Sequence, residues 1–437
     1  MDLYIVQAGD TIEKIADRFG TSVEKIILDN ELQNPNKLLI GQVIVIVYPS
    51  KTYIVKEGDT LSSIAASNNI TVNELLRNNP FVLSSDYIYP GEELTIAYDR
   101  SARVSTYGYT GTFINRETLR KTLPFLTYLS VFDYYIGQNG EVIGGNNDRD
   151  IIEMAIQHGV IPLLHLATIT IQGEVDEELT FRMINDEELQ DRIIENTLNI
   201  LREKGYYGVV ISSQMISSDN QELFYNYAKR FSDAIEPEGY ITLLAIDPKP
   251  NISNGQITFE PLDYSHLSEV AYSILLIRYT WGIIDGPPSP VFSVKVVDTF
   301  LDTFLPSVDP AKLSIGMPLL GYIWELPYIP GLSDGNSITI ENVLNLAVEY
   351  NVVIQFDEES QTPFFISNNT NANADNDSSG NDIIVWFVNP ITFNSLLNLL
   401  VEKDTPSLVV WSIMSYLATL WLVINSQYEI IKLLPEF

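Results

Sequence analysis

The chain has 437 residues, with 57 acidic and 25 basic side chains, a formal net charge of −32, no cysteine and three histidines. So acidic a surface repels phosphate backbones and anionic membranes, which makes nucleic acid a poor partner and points to uncharged groups on any polymer it holds. Without cysteine there is no disulfide, thiolate metal site or cysteine nucleophile, and His158, His165 and His266 do not fall at zinc-ligand spacing, so no metal and no cofactor are expected.

No apolar run reaches the roughly 20 residues that span a bilayer, so membrane insertion is not expected. The opening MDLYIVQAGD lacks a basic region followed by an apolar one, and the expectation is a chain without a cleavable signal peptide.

A repeat begins at once. YIVQAGDTIEKIADRFGTSVEKIILDN from Tyr4 returns as YIVKEGDTLSSIAASNNITVNELLRNN from Tyr53, and each copy closes on an apolar strand, IGQVIVIV or PGEELTIAY. A short alternating strand, a Gly-Asp-Thr turn that caps a helix, a second helix and a closing strand predict a βααβ unit. The two units are assigned to residues 1–48 and 51–98.

These residues resemble the LysM domain. The resemblance implies recognition of N-acetylglucosamine-containing glycans, peptidoglycan or chitin, in a groove between the first strand–helix loop and the loop after the second helix. Carried onto this sequence, it points to Gly9, Asp10, Thr11 and Ile12 with Asp29 and Asn30, and to Gly58, Asp59, Thr60 and Leu61 with Asn78, Asn79 and Pro80.

From about residue 103 to the end, apolar runs alternate with amphipathic helices. VSTYGYT, LTYLSVFDYY, VIPLLHLA, YGVVISS, YITLLAI, YSILLIRYTWG, LSIGMPLLGYIW and LVVWSIMS read as strands. Eight runs, apolar throughout, predict an α/β fold of the (β/α)8 TIM barrel type, with strands covered on both faces. His158 is placed at a helix end and His165 among core or rim residues. A small α+β insertion, about 333–395, is expected between strands seven and eight. Within it, Ser367–Asp382 reads as a solvated loop whose Asp and Asn spacing matches no established calcium loop.

The runs NILREKGYYGVVI, YTWGIIDGPPSPV, IGMPLLGYIWELPYIPG and AVEYNVVIQFDEESQTPFF resemble glycoside hydrolase family 18, and most closely the LysM-bearing cortex-lytic hydrolases of bacterial spores. That family works through acidic residues spaced by two at the end of its fourth strand. The spacing puts alternate side chains on one face. Its Glu protonates the leaving oxygen, and the substrate's own acetamide attacks. Here the resemblance aligns Val210 and Ser212 with the two inner Asp positions, Gln214 with the Glu and Tyr207 with a further Asp. An amide has no titratable proton near neutral pH, so no catalytic residue is assigned.

The resemblance also matches Tyr279 to the tyrosine that bonds the acetamide and Trp411 to the tryptophan under the reacting sugar. Trp281, Trp324 and Trp386 are further candidates for the cleft, with Gln214 as a hydrogen-bond donor. The leading expectation is a catalytically silent relative that binds N-acetylglucosamine polymers in a spore cortex, coat or cell wall. Two alternatives stay open: a glycosidase with its acid relocated to Asp247, Asp285 or Glu325, and a structural component of a spore coat with protein partners.

Overall fold

The computed structural model describes residues 1–85, 87–167, 176–213, 215–253, 256–277, 286–367 and 382–436. The expected positions Gln214, Tyr279, Trp281 and Asp285, and most of the Ser367–Asp382 segment, lie outside them.

Each N-terminal unit folds as its motif dictates. In the first, Asp2–Ile5 pairs antiparallel with Val43–Ile46, and helices Ile12–Phe19 and Val23–Asn30 lie between them. Gly9 adopts φ +83 in the turn, a conformation that suits glycine. Asp10 locks that turn by accepting from the Tyr4 hydroxyl at 2.6 Å and the Gln7 amide at 2.7 Å. Thr11 caps the helix, and Gly20 ends it with φ 63. The second unit repeats this with Tyr53, Asp59 and a Thr60–Ser63 capping box.

The rest is a closed barrel of eight parallel strands: β1 (Ala102–Thr110), β2 (Tyr128–Ile136), β3 (Ile161–Ala167), β4 (Gly208–Ser213), β5 (Ile241–Ile246), β6 (Ser273–Leu276), β7 (Leu313–Pro318) and β8 (Ser407–Trp411). Pairing of β1 with both β2 and β8 closes it. Alternate residues turn inward and fill the interior in layers, with Tyr107 stacked on Tyr128 at 4.2 Å and Val210, Leu163, Leu243 and Leu275 buried above. Inward Ser273, Ser314 and Ser407 form a hydroxyl chain beside Tyr107, where their strands begin.

The run LSIGMPLLGYIW is two strands rather than one. β7 ends at Pro318, and Leu320–Leu326 already belongs to the insertion, which therefore starts before residue 333. Its five-stranded antiparallel sheet runs 336–339, 320–326, 382–386, 362–366, 355–357, with helix Ile340–Glu349 against it.

The LysM units are fastened to this body. The last helix, Ala418–Gln427, packs against the second helix of each. Arg77 donates to the Pro124 carbonyl at 2.9 Å and to Glu436 at 3.0 Å, and Arg100 donates to the Asn425 carbonyl and side chain, both at 2.9 Å. On the first unit, the Ile354 amide donates to the Ile40 carbonyl at 2.9 Å.

Candidate functional site

The mouth of the barrel lies where the strands end. At β8, Trp411 is half-buried and packs against Tyr109 of β1 at 5.3 Å and Phe132 of β2 at 5.0 Å. Tyr109 in turn meets the edge of His165 at 5.3 Å. The result is an aromatic floor below the strand ends.

His165 is buried beneath this floor, opposite Val210 in the strand register. Burial alone pushes its imidazole down to about 3, so it is neutral at any ordinary pH. His158 closes helix Arg149–Gln157, as its sequence neighbourhood suggests, with Nδ1 at 2.8 Å from the Met154 carbonyl.

Along β4 the inward positions carry no carboxylate. Val210 is fully buried in the barrel's apolar interior. Ser212 is buried too, and its hydroxyl donates to the Leu166 carbonyl of β3 at 3.0 Å. Tyr207 precedes the strand at its far end and is partly exposed, away from the mouth.

Asp247 follows β5 and lies near enough to Tyr264 to help raise that buried hydroxyl. Glu325 is exposed on the insertion sheet. One carboxylate that the strand pattern did not single out stands at the mouth: Asp133, near the end of β2. It accepts from the Thr112 amide and so braces the loop after β1. The signal was an acid inside an otherwise apolar run, VFDYY.

Two tryptophans expected in the cleft both sit on the insertion sheet. Trp324 is a correction: it is fully buried inside the insertion, donates to the Gly286 carbonyl at 3.2 Å and packs on Tyr322. Trp386 lies on the neighbouring strand and stacks on Phe364 at 4.4 Å. Their spacing near apolar strand ends suits an insertion core as well as a sugar platform.

In the LysM units, Gly9, Thr11, Gly58 and Thr60 are exposed at the loop tips, while Ile12 is buried and Leu61 and Pro80 are half-buried. The Tyr4 hydrogen bond, more than any other contact, holds the Asp10 carboxyl below its usual range. Three expected sugar contacts are corrected, because their side chains are buried and engaged. Asn30 bonds Ile26 and both main-chain groups of Val45, and Asn79 repeats this with Leu75 and Thr95. Each ties a second helix to its closing strand. Asn78 meets Arg100 at 2.8 Å and Asn425 at 2.9 Å, inside the contact with the barrel. Asp29 pairs with Lys25 at 2.9 Å, and burial raises its carboxyl. Among the described residues no group of His, Asp and Glu is arranged to hold a metal ion, and no helix is long and apolar enough to cross a membrane.

Residues 4–47 and 53–97 match the LysM domain. Along almost its whole length the chain is similar to the cortical fragment-lytic enzyme of Bacillus subtilis, 27% identical over 441 residues that cover 99% of each chain. The crystal structure of the Bacillus megaterium spore cortex-lytic enzyme SleL superposes with a TM-score of 0.78 at 26% identity, covering 98% of each chain. A chitinase from Chromobacterium violaceum shares the fold, with a TM-score of 0.64 at 17% identity over 74% of this chain and 98% of that one. The chain thus joins two LysM domains to a (β/α)8 barrel and is a homologue of spore cortex-lytic enzymes.

Proposed function

We propose that this protein is a glycan-binding component of the bacterial spore cortex, coat or wall, in which the LysM domains hold N-acetylglucosamine-containing glycan and the barrel does not cleave it. One observation carries the reading: the inward face of β4 ends in a buried valine and a serine whose hydroxyl is engaged by β3. A glycosidase of this type needs an acid that gives its proton to the leaving oxygen. The resemblance aligns that acid with Gln214, an amide with no titratable proton, and the two carboxylates that would support it with Val210 and Ser212. Loss of general acid catalysis costs about 10²–10⁴-fold in rate. The exposed LysM loop tips and the Trp411 floor support retained sugar binding, since aromatic faces suit the C–H surface of a pyranose. Two modules on one chain gain further from effective concentration.

The test is to mix the purified protein with spore cortex peptidoglycan, then measure sedimentation with the polymer and release of reducing ends. Co-sedimentation without release supports the reading. Steady release abolished by Asp247→Asn would instead identify a glycosidase with a relocated acid. No co-sedimentation would leave a structural role in the spore surface as the better account.

A further inference from the structure

One cavity outside the barrel is built by three parts of the chain at once. The loop after the second helix of the first LysM domain forms one wall, the insertion helix Ile340–Glu349 another, and the barrel segments 387–390 and 415–419 the floor. Its volume is about 260 Å³. Ligand pockets for drug-sized molecules run to roughly 300–1,000 Å³, so this one suits a single ring with a small substituent.

The walls are held rigidly. Gly41, at φ +86, lets the LysM loop approach the Ile354 carbonyl so closely that a Cβ would lie 2.0 Å from its oxygen. Lys37 reaches the Val348 carbonyl at 3.0 Å, and Lys121 pairs with Glu31 at 2.7 Å. The cleft therefore has a fixed width, unlike a gap between modules on a flexible linker.

Its chemistry is that of a neutral polar ligand. Glu31 is already paired with Lys121, and Lys37 already donates to a carbonyl, which leaves Glu341 as a carboxylate on the rim. An open carboxylate repels anions and accepts hydroxyl hydrogen bonds. The side chains of Asn34 and Asn345 line the cleft at exposed positions and supply both donors and acceptors. Leu32 and Leu344 add apolar surface. Carboxamides and a carboxylate beside aliphatic patches match a sugar ring, which has hydroxyls at its edge and C–H groups on its faces. The carboxamides also match an acetamido substituent.

We propose that this cleft is an additional sugar site, taking one neutral N-acetylated sugar ring of a strand that the first LysM domain holds. Its wall segment Glu31–Asn34 belongs to the loop after the second helix of the first LysM domain, which the resemblance places along one side of the glycan groove, so a strand leaving that groove passes the cleft entrance. The barrel body then takes part in glycan binding through residues other than those of the β4 strand end. This proposal rests on the reading of the LysM domains as glycan binders.

The test uses the full chain and chitotetraose, with affinity measured by calorimetry. Asn345→Trp fills the cleft from an exposed helix position, and Asn34→Ala with Asn345→Ala removes its amides without enlarging any side chain. Both variants are expected to bind at least fivefold more weakly than the parent while keeping its thermal midpoint. Affinity unchanged in both, with binding by the parent intact, overturns the cleft and leaves LysM recognition standing. No binding by the parent overturns both. A loss in Asn345→Trp alone, without a loss in the double alanine variant, also overturns the amide-lined site.

Discussion

The Ser212 hydroxyl donates to the Leu166 carbonyl at 3.0 Å, so the last described inward side chain of β4 is bound to its neighbouring strand. Where the resemblance expects a carboxylate that orients the substrate's acetamide, the structure has a short neutral group turned to the wall. Returning carboxylates to both positions is the direct probe. Ser212→Asp combined with Gln214→Glu is expected to raise reducing-end release from chitooligosaccharide by about 10²-fold or more over the parent. Gln214→Glu alone should give less, for want of the partner that shares its proton. A double variant indistinguishable from the parent would mean that the cleft no longer presents a scissile bond to β4.

Val210 has become part of the barrel's interior packing. Val210→Asp places a carboxylate in the apolar cluster of Leu163, Leu243 and Leu275, across the strand register from the buried, neutral His165. We expect a loss of about 4 kcal/mol or more at pH 7, measured by urea denaturation. A smaller loss would show that the interior still accommodates charge at that height.

His165 makes stability pH-dependent. Its imidazole titrates at about 3 in the folded protein against an ordinary 6.5. Between those values the unfolded chain binds the extra proton, so stability falls as pH drops below 6.5, by roughly 1.4 kcal/mol per unit. Above 6.5 the contribution is constant. His165→Leu removes this slope, and the difference between parent and variant stability should therefore change with pH only between about 6.5 and 3. A constant difference across pH 4–7 would contradict it.

Gly41→Ala tests how the first LysM domain is seated. The new methyl would meet the Ile354 carbonyl, whereas one at Gly20, also at positive φ, meets nothing within 4 Å. Gly20→Ala is expected to cost about 1 kcal/mol from backbone strain alone. Gly41→Ala should cost more and should also make residues 1–48 separately susceptible to limited proteolysis. Equal effects of the two substitutions would show that the contact is not what seats the domain.

Arg77 does the same for the second LysM domain. It is buried, and Arg77→Ala removes the donor to the Pro124 carbonyl and the short ion pair to Glu436, which keeps only Thr71 and the more distant Lys432. A loss of about 3–5 kcal/mol is expected, read as a lower denaturation midpoint. A loss below about 1 kcal/mol would place that contact among weak surface pairs.

What the sequence determined by itself was everything encoded at short range. The Gly-Asp-Thr turns, the helix caps and the two βααβ units are written in residues that bond within a few positions of one another, as Asp10 does with Gln7 and Thr60 with Ser63. The eight barrel strands were legible because burial on both faces leaves a continuous apolar run, and the absence of acids on β4 needed only strand alternation. Sequence pattern could not separate β7 from the insertion strand after it, because Pro318 and Leu319 interrupt an apolar run without altering its character. It also could not assign the asparagines and tryptophans that are alike in type but not in surroundings. Asn30 and Asn79 suit a sugar contact as well as a helix–strand tie, and Trp324 suits a cleft as well as a core. Tertiary structure alone decided among these, and it alone brought Asn34 and Asn345 to one cavity. Which surface covers a side chain depends on elements hundreds of residues away, and no local period records that.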